Sequence, residues 1–189
     1  MNSPHPAFRS FVFDSAVSPA KRLELVVRIE ALPQELRQAL AGCSASQLDT
    51  PYRAAGWTLR QVAHHLADSH MHAYARMRLA MTEETPTIKP YDQDRWAELA
   101  DARTLPLEPS LQLLEGLHAR WGVFLRSLTT SDWARAIRHP EFPPAGQVLS
   151  LDWMLQHYAW HGRHHVEQIT ACRERMAEEP ISRSDARAI

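Results

Sequence analysis

The 189-residue sequence predicts an all-α domain built as a bundle of four amphipathic helices. Three observations carry that prediction. Stretches near residues 18–42, 57–82, 109–128 and 150–176 repeat apolar residues every three or four positions, the spacing that gathers them on one helical face. No run has the length and alternation of a convincing strand. The connections at 83–106 and 129–149 are long and proline-rich, which allows a helix order other than simple up-and-down.

Each element has its own signals. Residues 1–17, with Pro4, Pro6, Phe8, Phe11 and Phe13, are expected to form an N-terminal arm against the body. Ser18-Pro19 starts the first helix, with serine as the cap and proline at the first helical position. Leu23, Val26, Val27 and Ile29 give it an apolar face, Pro33 is expected to break or kink it, and Leu36, Leu40 and Ala41 resume the pattern before Gly42. The second helix opens on a capping box, Thr58 with Gln61, flanked by Trp57 and Val62 at the positions of a hydrophobic staple. Its face runs through Leu59, Val62, Leu66, Ala73, Met77 and Ala80. The following connection carries Pro86, Pro90 and Pro106, with a short helix expected around 94–102 and the stretch Thr85 to Tyr91 placed to cover a site mouth or to make a structural or dimer contact. Leu111, Leu114, Leu117, Trp121, Phe124, Leu125 and Leu128 mark the third helix, and Pro140, Pro143, Pro144 and Gly146 the second long connection. Ser150 caps the fourth helix. The bundle domain spans 18–178, and 179–189 is a polar tail.

Composition narrows the function. With 21 basic and 22 acidic residues the net charge is −1, so no nucleic-acid or anionic-membrane partner is expected. No apolar run is long enough for a bilayer or a signal peptide. The two cysteines, Cys43 and Cys172, fit a reducing compartment, with Cys172 an inert thiol on a buried stripe. These features make a cytoplasmic protein acting on a small-molecule substrate the expectation.

The fourth helix holds the candidate site. Its stripe of Leu151, Met154, Leu155, Tyr158, Ile169, Cys172 and Met176 has a gap into which His161, Gly162 and His165 fall. Imidazoles four residues apart on one helical face can point at a common atom, and neutral imidazole is the commonest metal ligand. Gly162 beside them leaves room on that face. A third ligand belongs on a facing helix, where wheel geometry narrowly favours His65 over His64, which lies further round beside Asp68 on the solvated side. Three neutral imidazoles leave coordination positions open, as in catalytic zinc sites. His70, His72, His118, His139 and His157 are read as surface residues or supports for a ligand, and His164 turns away from the stripe. Asp68 and Glu167 are read as solvated charges rather than partners of a ligand imidazole. Trp57, Trp121, Trp153 and Trp160 are assigned to core or rim packing.

Four strings, PYRAAGWTLRQVAHHLADSHM (51–71), LAMTEETPTIKPYDQDRWAELAD (79–101), SLQLLEGLHARW (110–121) and HYAWHGRHHVEQI (157–169), resemble the YfiT-type branch of the DinB-like superfamily. The resemblance implies a DinB-like four-helix bundle of uncommon helix order, a divalent metal on three histidines, and a homodimer. Members are described as metal-dependent hydrolases, and some as S-transferases that join bacillithiol to electrophiles. Carried across, the histidine before Leu-Ala-Asp-Ser is His65 and the pair in Trp-His-Gly-x-His-His is His161 and His165, which settles His65 over His64. One departure stands out: Val166-Glu167-Gln168 replaces a short Ala-His ending, which bears on the surroundings of the ligands.

Two enzyme readings and one other follow. In the first, a metal-held water with its pKa lowered from 15.7 to about 7 hydrolyses the substrate, although neither HExxH nor a telling carboxylate supplies a general base. In the second, the metal deprotonates a low-molecular-weight thiol that attacks an electrophile. In the third, the metal staples a non-catalytic binding module. Zinc suits three imidazoles best, with nickel, iron and manganese as alternatives.

Overall fold

The computed structural model describes residues 10–142 and 146–178. Most of the predicted arm, including Phe8, lies outside the described residues, as do Pro143, Pro144 and the tail 179–189. Four long helices, α1 (Pro19–Leu40), α3 (Leu59–Thr82), α6 (Glu108–Arg126) and α7 (Leu151–Glu178), form the bundle. Short helices α2 (Ala45–Leu48), α4 (Gln93–Ala97) and α5 (Ala100–Thr104) occupy the connections. Both α1 and α3 pack on α6 and on α7, so the two helices that come first lie across a diagonal, as do the two that come last. The long connections are what permit that order.

The helix starts are those the sequence signals. Ser18 accepts from the Lys21 amide at the start of α1. Thr58 and Gln61 close both halves of the capping box on α3, and Ser150 accepts from the Trp153 amide at the start of α7. The expected helix around 94–102 is present as α4 and α5, and Ser44 with Gln47 forms a second capping box on α2.

Several expectations need correction. Of the two alternatives at Pro33, the break does not occur: α1 runs through it. Proline removes the N–H that would bond the Ile29 carbonyl four residues back, and that carbonyl instead accepts from His118 Nδ1 at 2.5 Å. With the orphaned acceptor satisfied, the helix continues. Leu23 and Val27 are half exposed, and the buried face of α1 is Leu25, Val26, Ile29, Leu32, Leu36 and Leu40. A small hairpin also exists, β1 (Ala136–Arg138) antiparallel to β2 (Val148–Ser150), in register Ile137 with Leu149. Those two residues point into the core, and Ile88 from the first long connection donates its amide to the Arg138 carbonyl.

The core has two apolar parts. One gathers Ile29, Met77, Trp121, Leu125, Met154 and Leu155 with the hairpin. The other gathers Leu36, Leu59, Leu66, Leu114, Ile169 and Cys172. Between them along the bundle axis lies a polar layer containing His70 on α3, His118 on α6, and His161 and His165 on α7. His70 and His118 are 0% and 1% exposed, which makes their hydrogen bonding decisive, because burying an unpartnered polar group costs about 1–3 kcal/mol. Among the described residues no helix is long and apolar enough to cross a membrane.

Candidate metal centre

His161 and His165 stand one turn apart on α7, and α3 brings His65 to face them. His161 Nε2 lies 3.3 Å from His65 Nε2 and 3.2 Å from His165 Nε2. Tetrahedral ligands at zinc–nitrogen distances of about 2.0–2.1 Å stand about 3.3 Å from one another, so both separations suit one shared ion. The three side chains form a metal-capable group whose ligand atoms lie within 4.8 Å of each other.

Hydrogen bonds on the far sides of two rings decide where their protons sit. His165 Nδ1 is 2.7 Å from Gln168 Oε1, an atom that can only accept, so Nδ1 carries the proton and Nε2 offers a lone pair. The Gln168 amide in turn donates to His164 Nε2 at 2.9 Å. His161 reaches its assignment through more steps. The Ile29 carbonyl must accept, so His118 carries its proton on Nδ1. His118 Nε2 then accepts from His70 Nδ1 at 3.1 Å, and His70 Nε2 accepts from His161 Nδ1 at 3.4 Å. His161 Nε2 is left with a lone pair, aimed at the lone pair of His165.

Burial keeps these rings neutral. It pushes His65 down to about 3, with His165 as a neighbouring like charge, and His165 to about 4. His161 and His70 lie well below the ordinary histidine value, first from burial and then from surrounding imidazoles. His118 falls to about 4 for the same first reason.

The three histidines open on a cavity of about 650 Å³ whose lining includes Trp57, Tyr91, Trp153 and Trp160, with Arg53 and Arg76 as cations. Pro90 and Tyr91 place the end of the Thr85–Tyr91 loop on its wall. Trp121 is core, whereas Trp57, Trp153 and Trp160 line the cavity.

Other sequence assignments divide. His64 is not solvated: it is 4% exposed, with Nε2 against the Leu105 carbonyl at 3.2 Å and Nδ1 against Ser110 Oγ at 2.8 Å. It faces α6 and the connection rather than the centre. His70 and His118 are buried, so the surface alternative fails for both. The room at Gly162 is not on the side of the three imidazoles, since an added Cβ would lie 2.5 Å from Leu32 Cδ2 on α1. Asp68 is half-buried, and burial, then Asp101, raises its carboxyl to about 6. Glu167 pairs with Arg163 at 2.7 Å. The sequence reading missed the orienting role of Gln168, which sits in the segment where this chain departs from the family pattern. A signal existed for His118 too: it continues the stripe Leu111, Leu114, Trp121, Leu125 on α6, as His161 and His165 continue the one on α7.

Fold and site together define a helical bundle with three inward imidazoles from two facing helices, converging beside an aromatic-walled cavity. The family model for the DinB superfamily matches residues 28–169, and the chain belongs to that superfamily. It is 47% identical over 171 residues to a protein of Oceanobacillus iheyensis named "Putative metal-dependent hydrolase", covering 90% of this chain and 96% of that one. It is 44% identical to "Putative metal-dependent hydrolase YfiT" of Bacillus subtilis, over 85% of this chain and 89% of the relative. The solved structure of that Bacillus subtilis protein, described as "a probable metal-dependent hydrolase with an unusual four-helix bundle topology", is similar at a TM-score of 0.87 and 42% identity. That match covers 90% of this chain and 95% of the other.

Proposed function

We propose that this chain is a divalent-metal-dependent enzyme of the hydrolase class, with His65, His161 and His165 as the metal ligands and zinc as the best-suited ion. One observation carries the reading: the Nε2 atoms of His161 and His165 face each other at 3.2 Å while both Nδ1 atoms are committed as donors. Two lone pairs at that distance repel unless a cation sits between them. The names of the relatives support hydrolysis as the reaction class.

When bound, the ion would supply a Lewis acid that polarises a substrate oxygen and acidifies a water or thiol beside it. The chain's own contribution is to hold three neutral donors in place, so that no ligand charge offsets that of the ion. Trp57, Trp153, Trp160 and Tyr91 wall the cavity with apolar ring surface, while Arg53 and Arg76 offer positive charge to an anionic part of the substrate.

Thiol transfer is the second reading, favoured by the absence of a carboxylate from the metal-capable group among the described residues. A metal held by His65, His161 and His165 would lower the pKa of a thiol, whose proton would pass to solvent; the thiolate would then displace a leaving group from an electrophilic carbon, or open a strained ring there, without a separate general base.

The test begins with protein purified without a histidine tag. Stoichiometric divalent metal in the wild type and none in His161→Ala, with helical circular dichroism retained, is expected; full metal retention by the variant would sink the ligand assignment. Metal-loaded and chelator-treated protein are then assayed on activated esters, and on a thiol with an electrophile. Metal-dependent ester hydrolysis without thiol supports the hydrolase, and thiol-dependent loss of the electrophile supports the transferase. Equal turnover by both forms of the protein rejects a catalytic metal.

A further inference from the structure

The hydrogen bonds behind His161 visit all four long helices. They begin at the Ile29 carbonyl on α1, pass through His118 on α6 and His70 on α3, and end on His161 of α7. Only one direction is open to this chain of bonds while the rings are neutral. A carbonyl cannot donate, and each neutral imidazole has one N–H and one lone pair, so fixing the first bond fixes the rest. The starting acceptor is free because residue 33 is proline and returns no N–H to Ile29. Neither His70 nor His118 has an exposed edge from which water could reset the direction.

We propose that His118 and His70 are positioning residues that hold His161 in the Nδ1–H tautomer, so that its Nε2 lone pair is presented to the metal before any ion arrives. Metal affinity then depends on the packing of α1 and α6, two helices that supply no ligand. The dependence of affinity rests on the metal reading above, whereas the tautomer is a property of the protein without metal.

The metal-free, full-length protein labelled with 15N at histidine gives the direct test. Long-range 1H–15N correlation spectra distinguish a protonated from an unprotonated ring nitrogen. His118, His70 and His161 are each expected as the Nδ1–H tautomer at pH 7.5. In His118→Phe, which keeps a ring against Trp121 but removes both nitrogens, His161 is expected to become a mixture of tautomers. Zinc affinity, measured by competition with a chromophoric chelator, is expected to fall about 10–100-fold. His118→Gln, whose amide can donate to Ile29 and accept from His70, is expected to restore the tautomer and most of the affinity. A merely space-filling His118 would instead be replaced better by Phe than by Gln. An Nε2–H tautomer at His161 in the wild type overturns the proposal, as does an unchanged tautomer in a folded His118→Phe protein. Should His118→Phe not fold, Pro33→Ala perturbs the same starting bond by returning a competing N–H to Ile29; an expected fall in zinc affinity supports the proposal, and unchanged affinity overturns it. Wild-type protein that binds no zinc would reject the metal reading and the affinity claim with it, while the tautomer spectra still decide the positioning claim.

Discussion

His161 and His165 project from one face of α7, a turn apart, yet their rings are held over very different distances. His165 is fixed by Gln168, three residues along the same helix. His161 is fixed through two further imidazoles on two other helices, ending at a carbonyl on a third. The local bond forms as soon as α7 does, because residues three apart share a helical face. The long route exists only once all four helices have packed. One imidazole of the pair therefore reports on its own helix and the other on the whole bundle.

Acid should separate the two supports, and this is the largest expected effect. Gln168 does not titrate, whereas His118 does, and burial holds its folded-state value at about 4 against an ordinary value near 6.5. The unfolded chain binds the proton first as pH falls, so stability from keeping His118 neutral is complete above about 6.5. It is lost progressively down to about 4 and changes no further below that. At pH 5 the loss from this one group is on the order of 2 kcal/mol. Urea denaturation of metal-free protein at pH 7.5 and pH 5 measures it. His118→Gln should shrink the difference by about that amount; an equal pH dependence in the variant would show that His118 is not the titrating group.

The local support is expected to matter less. Gln168→Leu leaves the His165 Nδ1–H without its acceptor and lets the ring turn. Zinc affinity should fall about tenfold, the lower end of what removing a ligand's orienting partner does. The tautomer spectrum should change at His165 and stay unchanged at His161, since the two supports share no side chain. A matching change at His161 would merge the two into one network and remove the contrast.

How much of this was legible before folding follows from the same distinction between near and far. The four long helices, the caps at Ser18, Thr58 and Ser150, and the candidate trio His65, His161 and His165 all rest on spacing within one helix or on a short motif. The hairpin was not legible because three-residue strands are too short to show alternation. The continuity of α1 through Pro33 was hidden because the group that satisfies Ile29 lies 89 residues away in sequence. For His70 and His118 the sequence leaves two readings open, a surface residue or a support for a ligand. Each follows the buried stripe of its own helix, Leu66 to Ala73 and Leu114 to Trp121, which argues against the surface, but the groups that each ring meets lie on other helices, far off in sequence. Gln168 needed the rotamer of His165, which no pattern of letters supplies.

The smallest effect tests how closely the α1–α7 contact governs the long support. A Cβ on Gly162 would sit 2.5 Å from Leu32 Cδ2 and 3.0 Å from Cδ1. Leu32 is one turn beyond Ile29 on α1, so Gly162→Ala forces the buried Leu32 side chain, or α1 with it, to give way beside the carbonyl that starts the chain of bonds. Overpacking of this kind costs about 1–3 kcal/mol, and alanine returns about 1 kcal/mol of helix propensity, leaving a net loss of about 1 kcal/mol. Chemical denaturation should register that loss in the metal-free protein. Zinc affinity should fall slightly, through His161, while the His165 tautomer stays as it is. Leu32→Ala alone opens a cavity and destabilises, but combined with Gly162→Ala it removes the clash, so the double variant should be more stable than the sum of the single losses. Strict additivity would mean that the two side chains do not meet, and that α1 reaches the metal centre by some route other than this contact.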